Sequence, residues 1–426
     1  MICISRRLLT AVLILMAGIP VWSKDKEQSE PLWSRLPLEV HGFTELRSGY
    51  RLQNDPYQKD MSIMEARLQT EVTYAPQWGE FFLKADVYAD GVTEEGRFDL
   101  REGNFQASPF EFMDIKIGRQ IMTWGTGDLI FINDLFPKDW QAFFIGRDTN
   151  YLKAPSDAVK VSMFSEWFDM DLVYSGQFDS DRYIEGEYIS YWNGILGRSA
   201  GQDARVKTNK PDTWFKQDEL SMRLYKTINS CELSLYGYWG YWKSPAGFDR
   251  TFTYAQFPPL NVYGASIQNP LGPGIVNLET GYYDSRSDRS GSDPLTANSE
   301  MRFLIGYTQE IAHELTGSVQ YYVEQLLDYS AYKASLGAGT ARDEYRHVLT
   351  MRLTKLLMNQ NLVCSVFGYY SPSDQDIYIR PNITYKASDS TRLELGANIF
   401  AGDDPYTFFG QFENNTNAYM AVRHSF

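Results

Sequence analysis

Between Arg119 and Asp148 the sequence concentrates groups that order water, screen charge and hydrogen-bond a passing solute: Arg119, Gln120, Trp124, Asp128, Asp134, Lys138, Asp139, Arg147 and Asp148. They are donors, acceptors and fixed charges rather than a bond-making set. A hydrolase needs a nucleophile with a base beside it, and only His41, His313, His347 and His424 exist to serve as an imidazole base. None shares a recognisable catalytic frame with a serine, so an enzyme, in the form of a barrel hydrolase, ranks last among the readings. Beyond Cys3 the only cysteines are Cys231 and Cys364, with no CxxC or CxxCH, which gives no support for a haem, a zinc site or a disulfide framework. No cofactor and no metal are expected.

A second set of charges recurs at alternate positions through most of the chain: Glu65, Arg67, Glu71, Lys84, Asp86, Glu219, Arg223, Arg302, Glu310, Glu324, Arg352, Arg380 and Glu394. Their neighbours explain the spacing. In residues 63 to 74, Met64, Ala66, Leu68, Val72 and Tyr74 take one face of an extended strand while Glu65, Arg67, Gln69, Glu71 and Thr73 take the other. Leu349, Met351 and Leu353 oppose Thr350, Arg352 and Thr354 in the same way. A buried-core strand does not carry charges that densely, so one face must meet water and the other a large apolar medium. The charges are then candidates for the wall of a polar lumen. Their mixed signs predict weak ion selectivity, with a lean to cations because acidic residues outnumber basic ones.

The connections decide between a soluble sandwich and a closed barrel. Eighteen strands fit the alternation between residues 38 and 426, sixteen being the alternative count. Short connections at 75–79, 109–111, 166–167, 229–230, 269–273, 312–313, 358–360 and 387–390 alternate with mostly long ones, notably 125–156, 179–216, 243–260, 285–300, 326–345 and 401–416. That rhythm predicts an all-β, antiparallel up-and-down transmembrane β-barrel of the bacterial outer membrane, with both termini in the periplasm. A sheet edge left unpaired in hydrocarbon costs several kcal/mol per group, so the first and last strands must join. The last strand ends on Phe426, which resembles the signal read by the outer-membrane insertion machinery.

Arg6 and Arg7 followed by an apolar run from Leu8 to Ile19 and by Pro20 predict a secretory signal peptide over residues 1–23. Residues 24–37 form a periplasmic lead-in, and residues 38–426 the barrel. Removing Arg6 and Arg7 from the 40 basic residues leaves 38 against 54 acidic ones, a formal charge of −16, which argues against a nucleic-acid partner. The loops at 179–216 and 284–298, rich in Asp, Ser, Gly and Arg, are expected to be solvated and to meet lipopolysaccharide. Their aspartates match no calcium-loop spacing.

The Gly118-Arg119-Gln120 strand end running into Trp124-Gly125 resembles a segment of porin-like barrels of the alginate-export type and related outer-membrane families. The likeness covers about forty residues and implies a diffusion channel whose loops narrow the pore. The dense arginine lining that a polyanion would need does not recur through the strands. Read from the residues, Gly125 and Gly127 permit a sharp turn away from the wall. Leu129 to Ile132, Phe136, Trp140, Phe143 and Phe144 then fold inward and pack, the alternative being an external cap. Strict alternation sets Arg119 on the lipid side with Ile115 and Ile117, unless a bulge at Gly118 turns it inward. The expected activity is passive passage of small hydrophilic solutes. A structural or adhesive barrel, such as a sheath around a partner protein, is the alternative.

Overall fold

The computed structural model describes residues 38–337 and 341–426. The expected leader and lead-in, 1–23 and 24–37, lie outside the described residues. The chain forms eighteen barrel strands: β1 (Leu38–Arg51), β2 (Met61–Tyr74), β3 (Glu80–Asp90), β4 (Glu95–Phe110), β5 (Met113–Gln120) and β6 (Ser156–Met163). There follow β7 (Asp169–Ser175), β8 (Glu219–Ile228), β9 (Cys231–Tyr241), β10 (Pro259–Leu271), β11 (Gly274–Ser285) and β12 (Glu300–Ala312). The last are β13 (Leu315–Leu326), β14 (Tyr345–Leu357), β15 (Leu362–Ser371), β16 (Asp376–Lys386), β17 (Thr391–Gly402) and β18 (Asn417–Ser425). Each pairs antiparallel with the next, and β1 pairs with β18 from Phe43↔Ser425 to Arg51↔Asn417, which closes the barrel. The count is eighteen, not sixteen.

Burial is inverted relative to a soluble domain. Ile305, Val319 and Leu395 are 49%, 56% and 55% exposed on the outer face, while Arg47, Glu65, Arg67 and Asp86 are buried inside. Aromatic residues gather outside the turn end, where Trp78, Phe81 and Phe105 pack with ring centroids 4.8 to 5.6 Å apart. Turn chemistry follows the strand twist: in the β8–β9 hairpin Asn229 and Ser230 both take positive φ, as a two-residue primed turn requires.

Strand ends differ from the sequence expectation where loops take over. β5 stops at Gln120, because residues 121–124 leave the wall to begin the inward loop. β4 starts at Glu95 and runs 16 residues, well past the top of its ladder with β5 at Gly103↔Arg119. Loop 179–216 is not simply solvated. Tyr188 and Ile189 join the interior apolar cluster, and the Tyr188 hydroxyl donates to Asp90 on β3.

Candidate functional site

Residues 121–155 fold into the lumen, where their apolar side chains meet inward aromatic rings of the wall. Ile132, Leu135, Phe143, Phe144, Ile145 and Leu152 are buried against inward rings of the wall such as Tyr238, Tyr283, Tyr378, Phe400 and Tyr419. Helix α1 (Trp140–Ile145) is capped by the Asp139 carboxylate, which accepts from the Ala142 N–H at 2.7 Å, and ends at Gly146 in a left-handed conformation. The segment is therefore no external lid.

One wall residue anchors its first half. Glu279 on β11 accepts the backbone N–H groups of Thr126, Gly127 and Asn133 at 2.9, 3.2 and 2.8 Å, and the Asn133 side-chain amide at 3.0 Å. Beside it, Gly264 and Gly281 face each other across β10 and β11. A Cβ on Gly264 would collide with Asn133 Oδ1, and one on Gly281 would come within 2.7 Å of Ile132. The two glycines form a socket that admits the Ile132–Asn133 pair.

Guanidinium groups of the opposite wall hold the second half through backbone carbonyls. Arg380 donates to Phe143 O at 2.8 Å and Arg147 O at 2.7 Å, and Arg47 to Gly146 O at 2.7 Å. Arg147 in turn donates to Glu65 at 2.8 Å. Asp148 meets Arg392 at 2.6 Å and Arg423 at 3.0 Å. Burial works to raise the Asp148 carboxyl, but those two guanidinium groups outweigh it and hold it down to about 2.

The nine loop residues named from the sequence therefore divide. Asp128 pairs with Arg352 at 2.8 Å, and both side chains are about a third exposed to the lumen. Trp124 packs on Phe136 and Tyr236. Arg147 and Asp148 are anchors. Gln120, Asp134, Lys138 and Asp139, like the two anchors, are corrections to the expectation of a water-facing role, because each is buried. Gln120 donates to Ala158 O at 3.0 Å, Lys138 binds Asp134 at 2.9 Å, and Asp139 is spent on its helix cap and on Arg182. Arg119 is the other correction. The β5 ladders run without a shift at Gly118, so alternation holds and Arg119 stays on the outward face, bonded twice to Asp157 at 2.8 and 2.7 Å.

Most wall charges sort by height. Toward the loop end Glu65, Arg67, Asp86, Glu219, Glu324 and Arg380 are buried under the loops, while Glu394, opposite Thr384 toward the turn end, is buried against Arg47 at 2.7 Å. Arg302 stacks over the Tyr283 ring, 3.9 Å from its centroid, and pairs with Glu300. Nearer the turn end each pair keeps at least one side chain part-exposed: Glu71–Lys84 at 2.7 Å, Lys160–Asp171 at 3.3 Å, and Arg223 with Glu232. Glu310 accepts the Glu314 N–H at 2.7 Å and serves its own turn. The sequence reading missed Glu279, Arg47 and Arg423, and also Asp181, which accepts the Lys138 N–H of the inward loop at 2.8 Å. The cross-strand pair Gly264 and Gly281 is the sequence signal for the first, since a glycine inside a strand marks a close approach.

No known protein-family profile matches the chain, and no curated relative matches its sequence. Among solved structures, OccAB1 of Acinetobacter baumannii is similar at 10% identity with a TM-score of 0.53, over 94% of this chain and 99% of that one. OccAB3 of the same organism is similar at 11% identity and a TM-score of 0.53, over 92% and 99%. At that identity the likeness is one of fold, and the fold it shows is the closed eighteen-stranded antiparallel barrel of the porin type.

Proposed function

We propose that this chain is a porin-like channel of the bacterial outer membrane, for passive diffusion of small hydrophilic solutes with weak ion selectivity leaning to cations. One observation carries the reading: inside the turn end, charged side chains stay part-exposed, Lys84 and Glu71 at 26% and 31% and Lys160 at 29%, while the outward face is apolar. Charges so placed require water in the lumen, and an apolar belt around a closed sheet requires lipid. The inward loop narrows the loop end. Short turns and both termini face the periplasm in this arrangement, and the long loops face outward toward lipopolysaccharide. The Gly-Arg-Gln segment supports the alginate-export type within this group, without export of a polyanion. Phe426, whose backbone pairs with Gly42, offers the terminal strand to the insertion machinery.

The burial of residues 132–139 and 142–148 favours a second reading, a structural barrel with a filled lumen. A hydrolase has less behind it, since His347 bonds the Tyr321 hydroxyl and His424 lies by Thr391. Planar-bilayer recording of residues 24–426, with reversal potential in a salt gradient, tests the proposal. Stable steps with a mild cation preference are expected. A folded, heat-modifiable barrel that stays silent would sink the channel and leave the structural reading.

A further inference from the structure

The charges of the turn-end lumen are not spread evenly. From β2 round to β9 the wall carries Glu71, Lys84, Glu102, Lys116, Lys160, Asp171, Arg223 and Glu232, each basic group within 4 Å of an acidic one. From β12 to β16 the wall changes character. Thr316 stands opposite Thr354, Thr354 opposite Ser365, and Ser365 opposite Asn382, on four successive strands. Above and below this row lie Thr308 and Thr384, on the same inward face, and none of the six is fully buried. The register thus lays a row of hydroxyl and amide groups along one side of the lumen, bounded by Glu310 on β12, which stands opposite Thr316 and accepts the Glu314 N–H, and by Glu394 on β17, which accepts from the Asn382 amide at 2.7 Å. The guanidinium groups two residues above the row on the same face, Arg352 and Arg380, are occupied by Asp128 and by the Phe143 and Arg147 carbonyls of the loop.

We infer that this track selects neutral, hydroxyl-rich solutes, that is, polyols and small saccharides, over ions of the same size. The inference rests on the channel reading above. On the charged wall every fixed charge has its counter-charge at hand, so neither sign of solute finds an unpaired partner there. On the opposite wall each hydroxyl offers a donor and two acceptor sites, which exchange with the hydroxyls of a sugar at little net cost because water, wall and solute hydrogen bonds are alike. A charged solute finds no counter-charge among these hydroxyls, and it must shed water to pass the narrowed loop end.

The test is permeation of glucose, gluconate and glucosamine, matched in size and differing in charge, into liposomes holding the full barrel, with potassium conductance measured on the same preparation. Glucose is expected to enter at least about fivefold faster than either charged analogue. A second arm replaces Thr308, Ser365 and Thr384 by Val, Ala and Val, changes that leave strand propensity intact. Folding is checked by heat-modifiable mobility, and the ratio of glucose entry to potassium conductance should fall at least about threefold. Equal entry of all three solutes by the native barrel, or an unchanged ratio in the folded variant, overturns the inference and leaves the channel standing. Exclusion of all three without any conductance overturns both.

Discussion

Glu279→Ala removes the acceptor on which the turn of the inward loop is built. The carboxylate is 4% exposed and accepts three backbone N–H groups, one side-chain amide and the Thr126 hydroxyl. A hydrogen bond to a charged group contributes about 1.5–3 kcal/mol, and a buried N–H left without a partner costs about as much. Bonds sharing one acceptor are not additive, so the loss is taken as two such bonds, about 4 kcal/mol. That shifts the seated-to-released ratio of residues 125–133 by roughly a thousandfold. Glu279→Gln keeps one acceptor oxygen and should lose about half as much. The rest of the loop stays tied by Arg380, Arg47 and Asp148, so the barrel itself should fold. Single-channel recording should give larger and noisier steps for Glu279→Ala, with Glu279→Gln between it and the native protein. Acrylamide quenching, with Trp124 as the reporter, should rise in the same order. Native conductance, native noise and unchanged quenching in Glu279→Ala would refute the claim that this carboxylate seats the loop.

Gly264→Leu should release the same segment without touching a charge, because its Cβ would collide with Asn133 Oδ1; conductance noise matching that of Glu279→Ala checks this. Arg352→Ala frees the Asp128 carboxylate, about a third exposed in the lumen, and should move the reversal potential further toward cation preference, with a stability change under about 1 kcal/mol. The pH dependence has a defined sign: the Asp148 carboxyl is held down from 3.8 to about 2, so its contribution is complete above about pH 4 and fades as pH falls through about 2. The difference of nearly two units corresponds to about 2 kcal/mol, and conductance noise should rise reversibly in that window and stay native in Asp148→Asn from pH 7 down to pH 5 only if Asp148 is not an anchor.

The sequence by itself determined the barrel. Period-two alternation assigns every wall residue a face, and the rhythm of short and long connections counts the strands, because both signals are local and each repeats around the ring. It determined as well that residues 129–144 would seek an apolar surface, since Leu129, Ile130, Phe131, Ile132, Phe136, Phe143 and Phe144 cannot remain in water. Only the tertiary structure decided which polar residues meet solute. Lys138 and Asp134 read as separate charges open to water, yet the loop closes over them; Glu279 escapes the sequence reading, yet it seats a turn more than 140 positions earlier in the chain. Arg119 shows the converse: alternation alone placed it outward, and the unbroken ladder around Gly118 kept it there. The physical reason is common to all three. A strand's face is fixed by its own backbone, whereas the partners of a loop's polar groups are fixed by contacts between strands far apart in sequence, which exist only once the barrel has closed.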